Sequence, residues 1–146
     1  MAPLDPDEFA DVTRARVAVE REALRLSILN GGNDWEAEVV SASYLMAKAD
    51  REMAAGSDDW ERANTAFHRA MVSACGSHWL LNVRDKLQTV AERYRRASVG
   101  ITRSRRDLGA EHAAIAEAVL ARDVDLACRL TEAHCSKTQE ELRSGA

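Results

Sequence analysis

The sequence predicts an all-α protein, an antiparallel helical bundle of about six to seven helices folded as one domain over residues 1–146, with an ordered core from about 6 to 143. Three observations predict it. Every patterned stretch repeats its apolar residues at three- and four-residue spacing, and no stretch alternates as a half-buried strand does. The breaks between those stretches carry helix stop and start residues: Asn30-Gly31-Gly32, Gly56-Ser57, Gly76-Ser77, Asp107 and Asp123. Two prolines and seven glycines leave room for long uninterrupted helices.

Asp5 can cap a first helix, Pro6 suits its first position, and the run to Leu29 places Phe9, Val12, Val17, Leu24 and Ile28 on one side. Arg16 and Glu20, four apart, read either as a surface ion pair or as a guanidinium reaching over the core to an anion. Asn33 opens a second helix, to about Ala54, anchored by Trp35, Val39, Tyr44, Leu45 and Met46. The third runs from Asp58 to Cys75, with Asp58 and Glu61 in capping-box spacing and Gly76 as its stop. Ser77 caps a fourth containing Trp79, Leu80, Leu81, Leu87, Val90, Ala91 and Tyr94, which frays between Ser98 and Gly100. A fifth, about Asp107 to Ala121, carries Ile115, Ala116 and Val119; Asp123 caps the last, about Val124 to Arg143, with Ala127, Leu130 and Thr138.

No apolar run approaches the roughly 18 residues of a membrane span, and the acidic N-terminus is unlike a signal peptide, so a cytoplasmic protein without a membrane partner is expected. Cys75, Cys128 and Cys135 lack CxxC spacing and suit reduced thiols in a core. The run from Arg93 to Arg106 holds six arginines, yet a net charge of −4 weighs against a nucleic-acid surface here.

The chemistry-bearing positions lie inside the apolar stripes. His68, His112 and His134 interrupt the stripes of three different helices, and Asn64 precedes His68 by one turn on the same side; the fourth histidine, His78, follows a break. A lone histidine in a core is usually satisfied by a hydrogen bond. Three on facing stripes, with an amide oxygen beside them, suit a divalent transition metal that keeps a position for an exogenous group. Such a site could also activate water, so a metal-dependent hydrolase-like enzyme is the alternative, and a dimerisation module with packed histidines is a third. The enzyme reading lacks a base: Glu111, adjacent to His112, is expected to point elsewhere, and no HExxH, GxSxG or glycine-rich phosphate loop occurs.

The set Asn64-x-x-Phe67-His68, Ala74-Cys75-Gly76-Ser77, Glu111-His112-x-x-Ile115, Arg122-Asp123-x-x-x-Ala127 and His134 resembles the FCD domain, the effector-sensing domain of FadR-subfamily GntR transcription regulators. The likeness runs from Arg16-x-x-x-Glu20 to Leu142. It implies a non-enzymatic sensor in which Asn64, His68, His112 and His134 hold a metal, zinc first, with nickel or manganese as alternatives. It also implies a small carboxylate effector that completes the coordination, with Arg16, Tyr94 and Arg95 receiving its other polar groups. Asn64 stands where the family more often has Asp. A homodimer is implied, and operator DNA as a partner only through an N-terminal winged helix-turn-helix domain, which the few residues before Pro6 could not supply.

Overall fold

Residues 5–99 and 107–145 are described by the computed structural model, and among them six helices follow one another: α1 (Pro6–Asn30), α2 (Asn33–Glu52), α3 (Asp58–Val72), α4 (His78–Val99), α5 (Leu108–Leu120) and α6 (Val124–Gly145). The starts are set by local hydrogen bonds. Asp5 accepts from the Asp7 amide at 2.9 Å, Ser77 from Leu80 at 3.1 Å, Asp107 from Ala110 at 2.9 Å and Asp123 from Leu126 at 3.1 Å.

Two expected caps are different. The α3 cap is Ser57, whose hydroxyl accepts from the Trp60 amide at 3.3 Å; Asp58 is already helical, and the Glu61 carboxylate is taken by Arg95 rather than turned back to the cap. Asn33 is the first residue inside α2, whose preceding Gly32 offers no side-chain cap. The third helix also stops earlier, at Val72, and Gly76 turns the chain with φ of +76°, a left-handed conformation that glycine adopts without strain.

α1 lies between α6 and α4 and also touches α3, while α2 packs on α3 and α5, and α5 on α6. The main core gathers Leu24 and Ile28 of α1, Trp35, Val39 and Met46 of α2, Trp60, Phe67 and Met71 of α3, and Ile115 and Val119 of α5. A smaller cluster joins Phe9 to Ala91 and Tyr94, with the Phe9 and Tyr94 rings stacked at 4.6 Å and 2°. Three expected anchors face outward instead: Tyr44 is 64%, Leu45 54% and Trp79 77% exposed. The buried stripe of α2 runs through Trp35, Val39, Met46 and Ala49, so Tyr44 and Leu45, five and six residues after Val39, fall off its arc. Trp79 precedes Leu80 and Leu81, which do pack on the core.

Gly31 is required by a close approach: a Cβ there would lie 2.3 Å from Cε3 of Trp35 and 2.7 Å from the Ser27 carbonyl oxygen. All three cysteines are buried and none forms a disulfide. Of the arginine run, Arg103, Arg105 and Arg106 lie outside the described residues, as does Gly100. No helix among the described residues is long and apolar enough to cross a membrane.

Candidate metal centre

The four-residue spacing of Asn64 and His68 puts both on the core side of α3, while His112 comes from α5 and His134 from α6. All four are buried. The three imidazoles form a triangle, with ring centroids 5.4 Å apart for His68 and His112, 5.0 Å for His68 and His134 and 4.9 Å for His112 and His134. One ligand atom from each lies within 4.8 Å of the others. Phe67 closes one side, its ring 5.1 Å from both His68 and His112.

Carboxylates stand behind two of the rings. Asp50 Oδ2 lies 2.8 Å from Nδ1 of His112, and Asp50 Oδ1 accepts from Nε1 of Trp60 at 2.9 Å. Glu111 Oε1 lies 2.8 Å from Nδ1 of His134, with Lys137 4.0 Å from its other oxygen. Glu111 was expected to point away because it neighbours His112; one step along α5 turns it toward α6 instead, onto the next histidine. A carboxylate only accepts, so each of these Nδ1 atoms carries a proton and the Nε2 edge of each ring is turned away from its carboxylate. Asn64 Oδ1, His68 Nε2 and His112 Nε2 are all buried without a hydrogen-bond partner. Buried acceptors in that state cost on the order of 1–3 kcal/mol each unless something satisfies them.

The electrostatics keep His68 neutral. Burial first, then His134, His112 and the guanidiniums of Arg16 and Arg84, hold its imidazole well below the usual histidine range. Arg16 and Arg84 belong to a polar group joining α1 to α4. Glu20, which was paired with Arg16 in the sequence, is buried and bound by Arg84 Nε at 2.6 Å; Arg16 Nη2 donates to Oε1 of Gln88 at 2.7 Å, and Arg84 Nη2 to the same oxygen at 3.2 Å. Arg84 and Gln88 were not singled out from the sequence. The signal that finds histidines also applies to them: charged or amide side chains at positions where α4 faces its neighbours.

Tyr94 and Arg95 have protein partners of their own. The Tyr94 hydroxyl donates to Glu8 at 3.0 Å, and burial, followed by that contact, raises its pKa. Arg95 binds Glu61 and lies 5.4 Å over the Trp60 ring. His78, the fourth histidine, is exposed and sits 3.2 Å from the Asn82 amide.

The FCD domain family model matches residues 11–137. Among curated proteins, the chain is 35% identical, over 98% of its length and 60% of the relative's, to an uncharacterised HTH-type transcriptional regulator, BphR, of Paraburkholderia xenovorans strain LB400. It is also 35% identical, over 92% of its length and 64% of the relative's, to the HTH-type transcriptional repressor GlaR of Escherichia coli K12. The chain thus spans about three fifths of the length of the curated relatives it matches. Among solved structures, a GntR-family regulator from Pseudomonas syringae pv. tomato DC3000 superposes with a TM-score of 0.79 at 20% identity, over 97% of this chain and 57% of that one. The metal-free FCD domain of a transcriptional regulator superposes with a TM-score of 0.77 at 12% identity, over 99% of this chain and 97% of that one.

Proposed function

The chain belongs to the FCD domain family, and from that membership we propose that it senses a small carboxylate at a divalent transition metal held by Asn64, His68, His112 and His134. The observation that carries the reading is the set of unpartnered acceptors, Asn64 Oδ1 with Nε2 of His68 and His112, beside a third imidazole from α6. Merely packed histidines would leave those lone pairs unsatisfied, whereas neutral imidazole and amide oxygen suit zinc, nickel or manganese. Once bound, the ion supplies a positive charge with a position for an anionic oxygen. Asp50 and Glu111 offset part of that charge from behind His112 and His134, but the atoms facing the ion are neutral, so an anionic ligand remains favoured. Arg16 and Arg84, whose charges reach His68, favour the same sign of ligand.

The hydrolase alternative loses its support, because the curated relatives are regulators and Glu111 is held by His134 and Lys137. In the regulator reading, the whole protein binds operator DNA through a winged-helix domain as a homodimer, and the effector biases the spacing of the two DNA-binding heads.

Elemental analysis by inductively coupled plasma mass spectrometry tests the site, on tag-free protein beside the His134→Ala variant. A near-stoichiometric transition metal that the variant loses supports it. A protein that stays metal-free after dialysis against zinc or nickel overturns it.

A further inference from the structure

Of the large apolar side chains that stay exposed, three stand together on α2: Val40, Tyr44 and Leu45, at 53, 64 and 54% exposure. Single apolar residues on a surface are ordinary, whereas a contiguous group on one helix face marks a contact surface. α2 packs on α3 and α5 through the arc of Trp35, Val39, Met46 and Ala49. Its outer arc runs Asp34, Ala37, Ser41, Tyr44, Lys48 and Arg51 in alternating three- and four-residue steps, and all six are exposed. That is the spacing of a helix-packing seam.

The charges on this seam are sorted by end. Asp34 lies at the start, with Glu38 beside it, which also accepts from the Ser73 hydroxyl at 3.3 Å; Lys48 and Arg51 lie at the finish. A two-fold axis through the midpoint of Ser41 and Tyr44 sets a second α2 antiparallel to the first. Each Asp34 then faces the other copy's Arg51, Ser41 faces Tyr44, Val40 faces Leu45, and Glu38 comes beside Lys48. Glu52, next to Arg51, meets the neutral Asn33. The small side chains of Ala37 and Ser41 let the two helix axes approach. The exposed pair on α4, Trp79 and Val83, differs: the same side continues to Lys86 and Arg93, so it offers a second copy cations and no acid to match them.

We propose that the outer face of α2 is a two-fold interface with a second copy of this chain. The inference rests on the regulator reading for the homodimer and adds the surface that forms it. One helix pair makes a small contact, below about 1,200 Å² in total, so monomer and dimer should coexist at micromolar concentrations.

Sedimentation velocity of the chain from about 1 μM to 1 mM tests it. A concentration-dependent dimer is expected. Asp34→Arg makes both ends of the seam basic and Arg51→Asp makes both acidic. Each alone should weaken self-association by about tenfold, because the two-fold axis counts every altered charge twice. Mixed in equal amounts, the two variants regain both opposite-charge contacts and should associate at least as tightly as the unaltered chain. Both positions are exposed, so far-ultraviolet circular dichroism should show unchanged helical content. A dimer that neither variant weakens and mixing does not strengthen lies on another face, which overturns the α2 assignment and leaves the homodimer standing. A chain that stays monomeric to the highest concentration overturns the interface and the homodimer together, while the zinc content of the same samples reports on the metal site separately.

Discussion

Asp50 lies 2.8 Å from Nδ1 of His112 and ties that ring to α2, while its second oxygen holds the Trp60 indole at 2.9 Å. One carboxylate thus orients a candidate ligand and satisfies a buried indole. Asp50→Asn keeps an oxygen for one of the two and removes the charge that favours a protonated Nδ1. Metal affinity should fall about 10- to 100-fold, the usual effect of losing an outer-shell carboxylate. Competition for zinc against a chromogenic chelator measures it, with far-ultraviolet circular dichroism to show an unchanged helical content; unaltered affinity would mean that Asp50 serves only Trp60.

Asn64→Asp addresses the charge at the site directly. An aspartate adds a negative charge beside neutral imidazoles, so the metal should be retained more tightly. The anionic effector should bind more weakly, by at least about tenfold, because the net positive charge it responds to falls by one. Zinc competition and butyrate titration read the two effects separately. Tighter zinc together with unchanged butyrate affinity would show that the acid does not respond to charge at the ion.

The part of this site legible in the sequence was the part that broke a pattern. Histidines in apolar stripes are visible because water-free positions rarely hold them without cause, and the four-residue offset from Asn64 to His68 fixes their shared face. The outer carboxylates were hidden for geometric reasons. Asp50 reaches His112 from a helix 62 residues earlier, and Glu111 serves His134 across the α5–α6 contact rather than its sequence neighbour. Helix starts at Asp5, Ser77, Asp107 and Asp123 were readable because capping is local. At Ser57-Asp58 two polar residues in succession competed for the cap and spacing alone favoured the wrong one, while at Gly32-Asn33 the cap position carries no side chain at all. Tyr44, Leu45 and Trp79 show the limit of apolar counting: a residue's arc relative to its neighbouring helices decides burial, and that arc is set by packing the sequence does not state.

The Glu20–Arg84 pair carries a stability prediction. Both side chains are almost fully out of water, so removing one charge strands the other. Glu20→Leu should destabilise the domain by about 3–5 kcal/mol, and Glu20→Leu with Arg84→Met should recover a large part of that loss. Urea unfolding of the three proteins checks it. A double variant no more stable than the single would mean that Gln88 and Asp85, which also contact Arg84, carry the energy instead.

Arg122 clamps the end of α1 from the α5–α6 turn. Nη1 donates to the Ile28 carbonyl at 2.6 Å, Nη2 to the Gly31 carbonyl and to Glu36, each at 2.8 Å, and the guanidinium lies 5.4 Å over Trp35. It thereby satisfies carbonyls that a helix end leaves without partners. The residue does this from a left-handed backbone, φ of +58°, which a side chain tolerates at a cost of about 1–2 kcal/mol. Arg122→Ala keeps the strain and loses the clamp, and should cost about 2–3 kcal/mol. Arg122→Gly loses the clamp and relieves the strain, so it should be the milder change by about 1 kcal/mol. Urea unfolding with an unchanged slope separates the two contributions. Equal losses would show that the backbone stores no strain, and losses under about 0.5 kcal/mol, the range of an ordinary surface substitution, would show that the α1 end holds without Arg122.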